Sequence, residues 1–465
     1  MLGLIKPSSY LSTMVGQPNV ILVAIDTLRA DRLSCYGFPR ETSPNIDRLA
    51  REGVLFTQAV APGIPTHPGF TTIFTGMHPL RHGIVCHAGS KALDWGVRTL
   101  PEVLRELGYV TIAVDNLVAT RGLWFVRGFD YYVYTGGITV ISRGAKITGE
   151  VVTRKALEVI ELLGEGRLGG RPFFLFIHYW DPHTPYMPPH PFREKFYRGG
   201  GTRLSELLRT TAWGRLLLES EWIRALIEEG RDEKEYVDSL YEGEVCYADH
   251  CLGRVLEKLE EAGLYDESLI IVTSDHGELL GEKGIYYDHH GLYEPDVRIP
   301  LIMRHPELGE GVRVNEVVTQ EDIAPTILDL LGRGELLRQA TGRSLLPLIR
   351  GEGEGRGHVI LVENTRMTKR AIRAGRWKLV QTLRDDPYGR PAGYVELYDL
   401  GRGEEENLAE SEPELVRELL GMLEYEYRRL LGGRGDPLIL QPISLPIPGA
   451  PHSDVRAQRA EPHVL

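Results

Sequence analysis

Three apolar runs limit what this chain can fold into. NVILVAID (19–26), RPFFLFIHYWDPH (171–183) and SLIIVTSDHGE (268–278) are short, rich in β-branched or aromatic residues, and end in acids or histidines. Such runs read as strands buried on both faces, with polar groups only at their carboxyl ends. Helical patterns separate them. SPNIDRLAREG places Pro44 at a first helical position behind the cap candidate Ser43, with Gly53 as the stop. VLFTQAVA follows as a strand, and TLPEVLRELGYVTIAVDN reads as helix, Gly108 turn and strand. Over 236–263, Val237, Tyr241, Val245, Ala248, Leu252, Val255 and Leu259 recur every three or four residues, which predicts one long helix. Strands alternating with helices predict an α/β fold with a mostly parallel central sheet sandwiched by helices. Ligands of such sheets collect at the carboxyl ends of strands.

After about residue 351 the alternation stops. GHVILVEN, KRAIRAGRWKLVQTL and GYVELYDL read as neighbouring antiparallel strands, and EPELVRELLGMLEYEYRRLL as a closing helix. The expected organisation is an N-terminal extension (1–18), a catalytic α/β domain (19–350), a smaller α+β subdomain (351–432) and a Pro/Gly-rich extended tail (433–465). The polar insert 199–230 reads as surface decoration in preference to a lid.

Composition narrows the function classes. A net charge of −12 over 465 residues, without a basic run, argues against a nucleic acid polymer as partner. No apolar run reaches membrane-helix length, and the first residues make a poor signal peptide, with Met14 as an alternative start. The expectation is a cytoplasmic protein that does not engage membranes. Four cysteines, two of them in the long helix, are expected as ordinary thiols.

The segment GIPTHPGFTTIFTG (63–76) has the form of a reactive loop feeding a helix closed by Gly76. Thr66 is placed either to cap that helix or to act as a nucleophile where an anion is welcome. Asp26, Asp275 and His276 are hard or borderline metal ligands at matched strand ends. Asp288, His289 and His290 form a second cluster that can hold a metal or an anion, and Asp181 with His183 forms a looser pair in a Pro-rich loop.

Together these motifs resemble the sulfatase branch of the alkaline phosphatase superfamily. NVILVAIDTLRADRLSCYG, PTHPGFTTIFTGMHPLRHG, DPHTPY, IVTSDHGE, YEPDVRIPLIMRHP, EDIAPTILDLLG and AIRAGRWKLV occur in that family's order, over roughly residues 19–431. The resemblance implies a metal held by Asp26, Thr66, Asp275 and His276, and Thr66 as the reactive residue. Two departures matter. Typical sulfatases carry Cys/Ser-x-Pro-x-Arg, whose first residue becomes formylglycine; here those ends are Thr66 and Phe70, and oxidising a threonine would give a ketone. The family's anion-binding Lys falls near Asn116, and the acidic pair closes with His276 where sulfatases usually have Asn.

These departures resemble the phosphodiesterase and phosphonate-hydrolase relatives. The implied reading is a hydrolase of small phosphate esters, with sulfate-ester hydrolysis as the alternative. A phospho-group transferase and a catalytically silent binding protein are weaker alternatives. Catalytic assignments are Thr66, His183 and His290. One or two divalent ions (Zn, Mn or Ca) are implied, the second near Asp181, His289, His290 and Asn116. The oligomeric state is left open.

Overall fold

The computed structural model describes residues 17–136 and 148–447. The expected extension (1–18) lies almost wholly outside them, as does the tail beyond residue 447. The strands in chain order are β1 (Asn19–Ile25), β2 (Val54–Val60), β3 (Gly63–Ile64), β4 (Val110–Asp115), β5 (Tyr131–Tyr134), β6 (Phe173–Tyr179), β7 (Ser268–Thr273), β8 (Leu279–Leu280), β9 (Tyr286–Asp288), β10 (Arg298–Arg304), β11 (Val312–Thr319), β12 (His358–Glu363), β13 (Lys369–Ala374), β14 (Trp377–Thr382) and β15 (Val395–Asp399). Eight form the central sheet in the order β11-β2-β10-β7-β1-β6-β4-β5. All its neighbouring pairs are parallel except those made by β10. The expected α/β architecture is therefore present, with one reversed strand.

β1 shows why the sheet is covered on both sides. Ile21, Val23 and Ile25 join one apolar cluster, with the helices Pro44–Arg51, Gly149–Gly164 and Lys234–Glu261. Val20, Leu22 and Ala24 join the other, with the helices Thr66–Thr75, Leu100–Glu106 and Ile323–Leu330. The period of two puts alternate residues on opposite faces, and both faces are apolar.

β12 to β15 form an antiparallel sheet, and β3 extends it by pairing parallel to β12, with Gly63 opposite Val362 and Ile64 opposite Glu363. The chain thus passes from the central sheet into the second one just before Thr66.

Four expectations need correction. Ser43 makes no capping bond; its hydroxyl pairs with Asp47, while Asp249 of the long helix accepts from Asn45 N and Ile46 N. A buried carboxylate from another element satisfies that helix start better than the local hydroxyl. Thr66 is not a cap either, since it is the first helical residue and Pro65 precedes it without a capping bond. The insert 199–230 is not decoration. Its three helices bury Leu204, Leu208, Trp213, Leu217, Trp222 and Leu226 in the same cluster as the long helix. The described part of the tail, up to Ile447, is docked: Arg384 and Asn364 both donate to the Gln441 carbonyl, and Leu445 N donates to Thr365 O.

The β1 and β7 ends are locked together by Arg29, which is 2 % exposed. It pairs with Asp31 through two bonds, with Glu282 at 2.7 Å, and with the Glu278 carbonyl at 3.1 Å. Partial desolvation disfavours charge on Asp31, whose side chain is 45 % exposed, but Arg29 outweighs that and holds its carboxyl at about 2 against an ordinary 3.8. A folded pKa below the unfolded one means the pair's contribution is present above about pH 4 and lost as pH falls through about 2. We expect the Tm difference between wild type and Asp31→Asn, followed by circular dichroism, to shrink over that window. A difference independent of pH would show that the pair carries no linked stability.

Candidate active site

Parallel pairing aligns the carboxyl ends of β1, β4, β6 and β7, so their following residues converge. Asp26, Asp275 and His276 are fully buried and present ligand atoms within 4.8 Å of one another. His276 Nε2 lies 3.2 Å from Asp275 Oδ2, 3.8 Å from Asp26 Oδ1 and 3.5 Å from Thr66 Oγ1. His276 Nδ1 donates to the Gly277 carbonyl at 2.8 Å. That carbonyl can only accept, so Nδ1 carries the proton and Nε2 meets two carboxylates. A bare lone pair there would be repelled. Nε2 must hold a second proton or a cation. Burial opposes charge on the ring, yet Asp275 and Asp26 win and raise its pKa to about 10.

The donor set fits a divalent metal. Ligand atoms spaced 3.2–3.8 Å apart match the roughly 3.3 Å expected around a tetrahedral ion with bonds near 2.0–2.1 Å. Asp26 Oδ1 and Asp275 Oδ2 accept no hydrogen bond among the described residues, which is costly for buried oxygens unless a cation compensates them.

The surrounding groups fix this geometry. Gln320 donates to the carbonyls of Ser274 (2.8 Å) and Asp275 (2.6 Å). Thr27 has φ 56°, a strained conformation for a β-branched residue, and its N–H points to Asp275 Oδ1 at 3.4 Å. His178 joins Asp115 (2.7 Å) to Asp26 (3.5 Å). Burial disfavours its charge, but the two acids lift its pKa to about 9, so it stands as an imidazolium behind Asp26.

Above Thr66 opens a cleft of about 400 Å³, lined by Thr66, His87, Trp180, His183, Asp288, His289, His290 and Arg366, among others. His183 Nδ1 donates to Thr184 O at 2.6 Å, leaving Nε2 for other work. Arg366 Nε pairs with Asp288 Oδ2 at 2.9 Å, and its guanidinium lies 4.2 Å from the Trp213 ring of the insert. The insert therefore buttresses a cleft wall; it does not line the cleft.

The structure brings together Asp26, Thr66, Asp275 and His276, and gathers His183, His289 and His290 in the cleft beside them. Two residues assigned from sequence lie outside the cleft lining. Asn116 is engaged on both sides of its amide, donating to Gly136 O and accepting from the Trp180 indole, and it does not line the cleft. Asp181 turns away from the cleft; its Oδ2 lies beside Gly149, which starts a helix and adjoins Cys251 and Tyr247. Sequence reasoning missed His178, Glu278, Gln320, Glu363, His87 and Arg366. His178 and Glu363 were detectable, as lone polar residues within apolar strand runs.

The Sulfatase family profile matches residues 18–333, and the N-sulphoglucosamine sulphohydrolase C-terminal profile matches 281–426. The chain belongs to the sulfatase family. It is an ester hydrolase of that family, in the wider alkaline phosphatase superfamily. An N-acetylglucosamine-6-O-sulfatase of Bacteroides thetaiotaomicron is 25% identical over 417 residues, covering 73% of this chain and 72% of that protein. The multifunctional alkaline phosphatase superfamily protein PehA of Trinickia caryophylli is 27% identical over 412 residues, covering 71% and 77%. The solved phosphonate monoester hydrolase of Agrobacterium radiobacter matches at TM-score 0.68 and 22% identity, covering 88% of this chain and 96% of that one, a likeness of fold. Most of the named relatives are sulfatases, so these names favour the sulfate-ester alternative over the phosphate-ester reading.

Gly69 ties Thr66 to this centre. A Cβ there would lie 2.6 Å from the Asp275 carbonyl oxygen and 3.0 Å from Asp275 Cβ. Overpacking of this kind costs about 1–3 kcal/mol. Gly69→Ala is therefore expected to weaken metal binding by roughly 10–100-fold in chelator competition. Gly421→Ala, where nothing lies within 4 Å, serves as the control and should change nothing. Equal affinities in the two variants would mean the helix–Asp275 contact does not set the centre.

Proposed function

We propose that this sulfatase-family hydrolase cleaves a phosphate ester, either a phosphodiester or a phosphonate monoester, with Thr66 as the nucleophile. The observation that carries the reading is the position of Thr66 Oγ1, 3.5 Å from His276 Nε2 and beside the convergent carboxylates. Threonine cannot be converted to formylglycine, but its hydroxyl can be phosphorylated. A divalent ion held by Asp26, Asp275, His276 and Thr66 would supply Lewis acidity and lower the pKa of the hydroxyl.

The chain's own groups do the rest. Gly69 lets the helix approach Asp275, which aims Thr66 at the centre. Thr66 Oγ bonds to phosphorus as the bond to the leaving oxygen breaks, and the leaving group departs with a proton. Water then attacks the phosphorus as its bond to Thr66 Oγ breaks, which releases the product and returns Thr66 as the hydroxyl. His183, with Nδ1 held by Thr184 O, offers Nε2 to take that water's proton. Phe70 stands where typical sulfatases have arginine, and it packs against His178 and Phe176, with ring centroids 4.8 and 5.9 Å away. That position cannot bind an anion.

The second reading is hydrolysis of a small sulfate ester, which the names of most relatives support. The test uses both substrate classes. Thr66→Ala should keep its Tm, since Thr66 makes no capping bond, and should lose several orders of magnitude in rate. Thr66→Ser should retain much of the phosphoesterase activity. Rapid quench with a labelled phosphodiester should trap phosphate on Thr66. A sulfate-ester rate that survives Thr66→Ala would overturn the mechanism and favour direct attack by water on a sulfate ester.

A further inference from the structure

We propose that Arg121 binds a second anionic group of the substrate, so that the ester this enzyme takes is a small molecule carrying a carboxylate, sulfate or phosphate beyond its scissile group. The proposal names the substrate class of the Thr66 site and rests on the reading of that site as an ester-hydrolysing centre.

Arg121 lies on the wall of the cleft above Thr66. It also lines a second cavity, of about 340 Å³, and Ala88, Arg121 and Ser444 belong to both linings. The two cavities are therefore contiguous, with Arg121 at their junction. The docked segment 441–444 walls the second one. A ligand anchored at Thr66 can run past Arg121 into it. Charge separates Arg121 from the other arginine of the cleft. Arg366 pairs with Asp288, whereas Arg121 has neither an ion pair nor a hydrogen bond among the described residues. A guanidinium fork without an acid on it suits an oxyanion held by two parallel bonds.

The loop that carries Arg121 is fixed to the nucleophile loop, which a merely solvated surface arginine would not need. His67 follows Thr66 directly. Its Nδ1 accepts from Ala88 N at 3.2 Å, so its proton is on Nε2, which donates to Thr120 Oγ1 at 2.8 Å. Thr120 Oγ1 in turn donates to Leu117 O at 2.5 Å. Burial pushes the His67 pKa down to about 3, so this link stays neutral and intact at working pH. Gly122 permits the approach: a Cβ there would lie 3.3 Å from His67 Nε2 and 2.4 Å from the Phe125 ring. Arg121 itself takes φ 71° at the end of the turn Leu117–Thr120, a conformation that glycine adopts without strain. The chain keeps a long cationic side chain there at a backbone cost. Arg121 also follows Asn116 in this loop, and Asn116 and Phe70 stand where typical sulfatases place their lysine and arginine. Fixed positive charge is thus withdrawn from the scissile group and offered further along the cleft, which selects esters with a second anion.

The experiment is calorimetric binding to the full chain loaded with zinc. The probes are phosphonoacetate, phosphonopropionate and phosphonobutyrate, each beside its carboxamide, which has the same length without the second charge. At one of these lengths wild type should bind the acid roughly 10–100-fold tighter than the amide. Arg121→Gln should bring that ratio to about one, and Arg121→Lys, which keeps the charge but loses the fork, should retain part of it. Circular dichroism checks that each variant is folded. Asp275→Asn with His276→Ala should weaken acid and amide alike, because both phosphonates sit at the Thr66 centre. Equal affinities for acid and amide at every length in wild type would overturn the proposal, as would a preference that survives Arg121→Gln. An acid that keeps its full affinity in the Asp275/His276 variant would also overturn it, since Arg121 would then serve a separate anion site. Binding is read without turnover, so the ratio decides the role of Arg121 even where the Thr66→Ala rates reject the phosphate-ester reading.

Discussion

Two fully buried carboxylates, Asp26 and Asp275, face one imidazole nitrogen at the ends of adjacent parallel strands. Uncompensated charge at such depth costs several kcal/mol per ion. The surrounding structure reads as a means of holding that charge in place. His178 supplies one positive neighbour to Asp26, and Arg29 bolts the β1 exit to the β7 exit. Gln320 clamps the Asp275 carbonyl, and Thr27 accepts a strained backbone to follow Asp26. What remains unsatisfied is directed at the point shared by Asp26, Asp275, His276 and Thr66.

The second sheet takes part in the site. β3 is only two residues long, yet it pairs with the end of β12, and Thr66 follows two residues later. Glu363 ends β12, sits opposite Ile64 and grips His290. A displacement of the antiparallel sheet would therefore move the Thr66 loop and the His290 ring together. The insert reaches the same wall from the opposite side, through Trp213 against Arg366.

Much of this was legible in the sequence because it depends on local pattern. β1, β6 and β7 are apolar runs with acids at their ends, and parallel pairing alone brings Asp26 and Asp275 together. Thr66 was legible through its loop, although its hydroxyl proved free of capping duty. What could not be read depends on distant partners. Asp249 replaces Ser43 at a helix start 204 residues away in sequence, and Glu363 reaches His290 across 73. Asn116 was assigned because it falls near the family's anion-binding Lys, and Asp181 because of its type, but side-chain direction in a turn decides what faces the cleft, and no periodicity encodes it. The insert looked polar in sequence because its apolar residues are spread over three short helices, each burying one narrow stripe.

The charge balance of the cleft carries one more step. Beneath and around it lie Asp26, Asp115, Asp275, Glu278, Asp288 and Glu363, all buried. Of the cations near them, His178 is held between two acids, His276 faces Asp26 and Asp275, Arg366 is engaged by Asp288, and Arg121 lines the cleft. Phe70 fills the position where typical sulfatases place arginine, and the Asn116 amide is engaged by Trp180 and Gly136. Burial pushes the Glu278 and Glu363 carboxyls up toward their neutral forms, so the acids that face an entering ester are fewer than the residue types suggest. On the proposed reading, part of the positive charge that binds the ester is imported with the metal held by Asp26, Asp275, His276 and Thr66. Ester affinity and metal affinity are then linked, each raising the other by the same factor. With Phe70 and Asn116 at those two positions, this chain should lose much of its ester affinity when its metal is stripped.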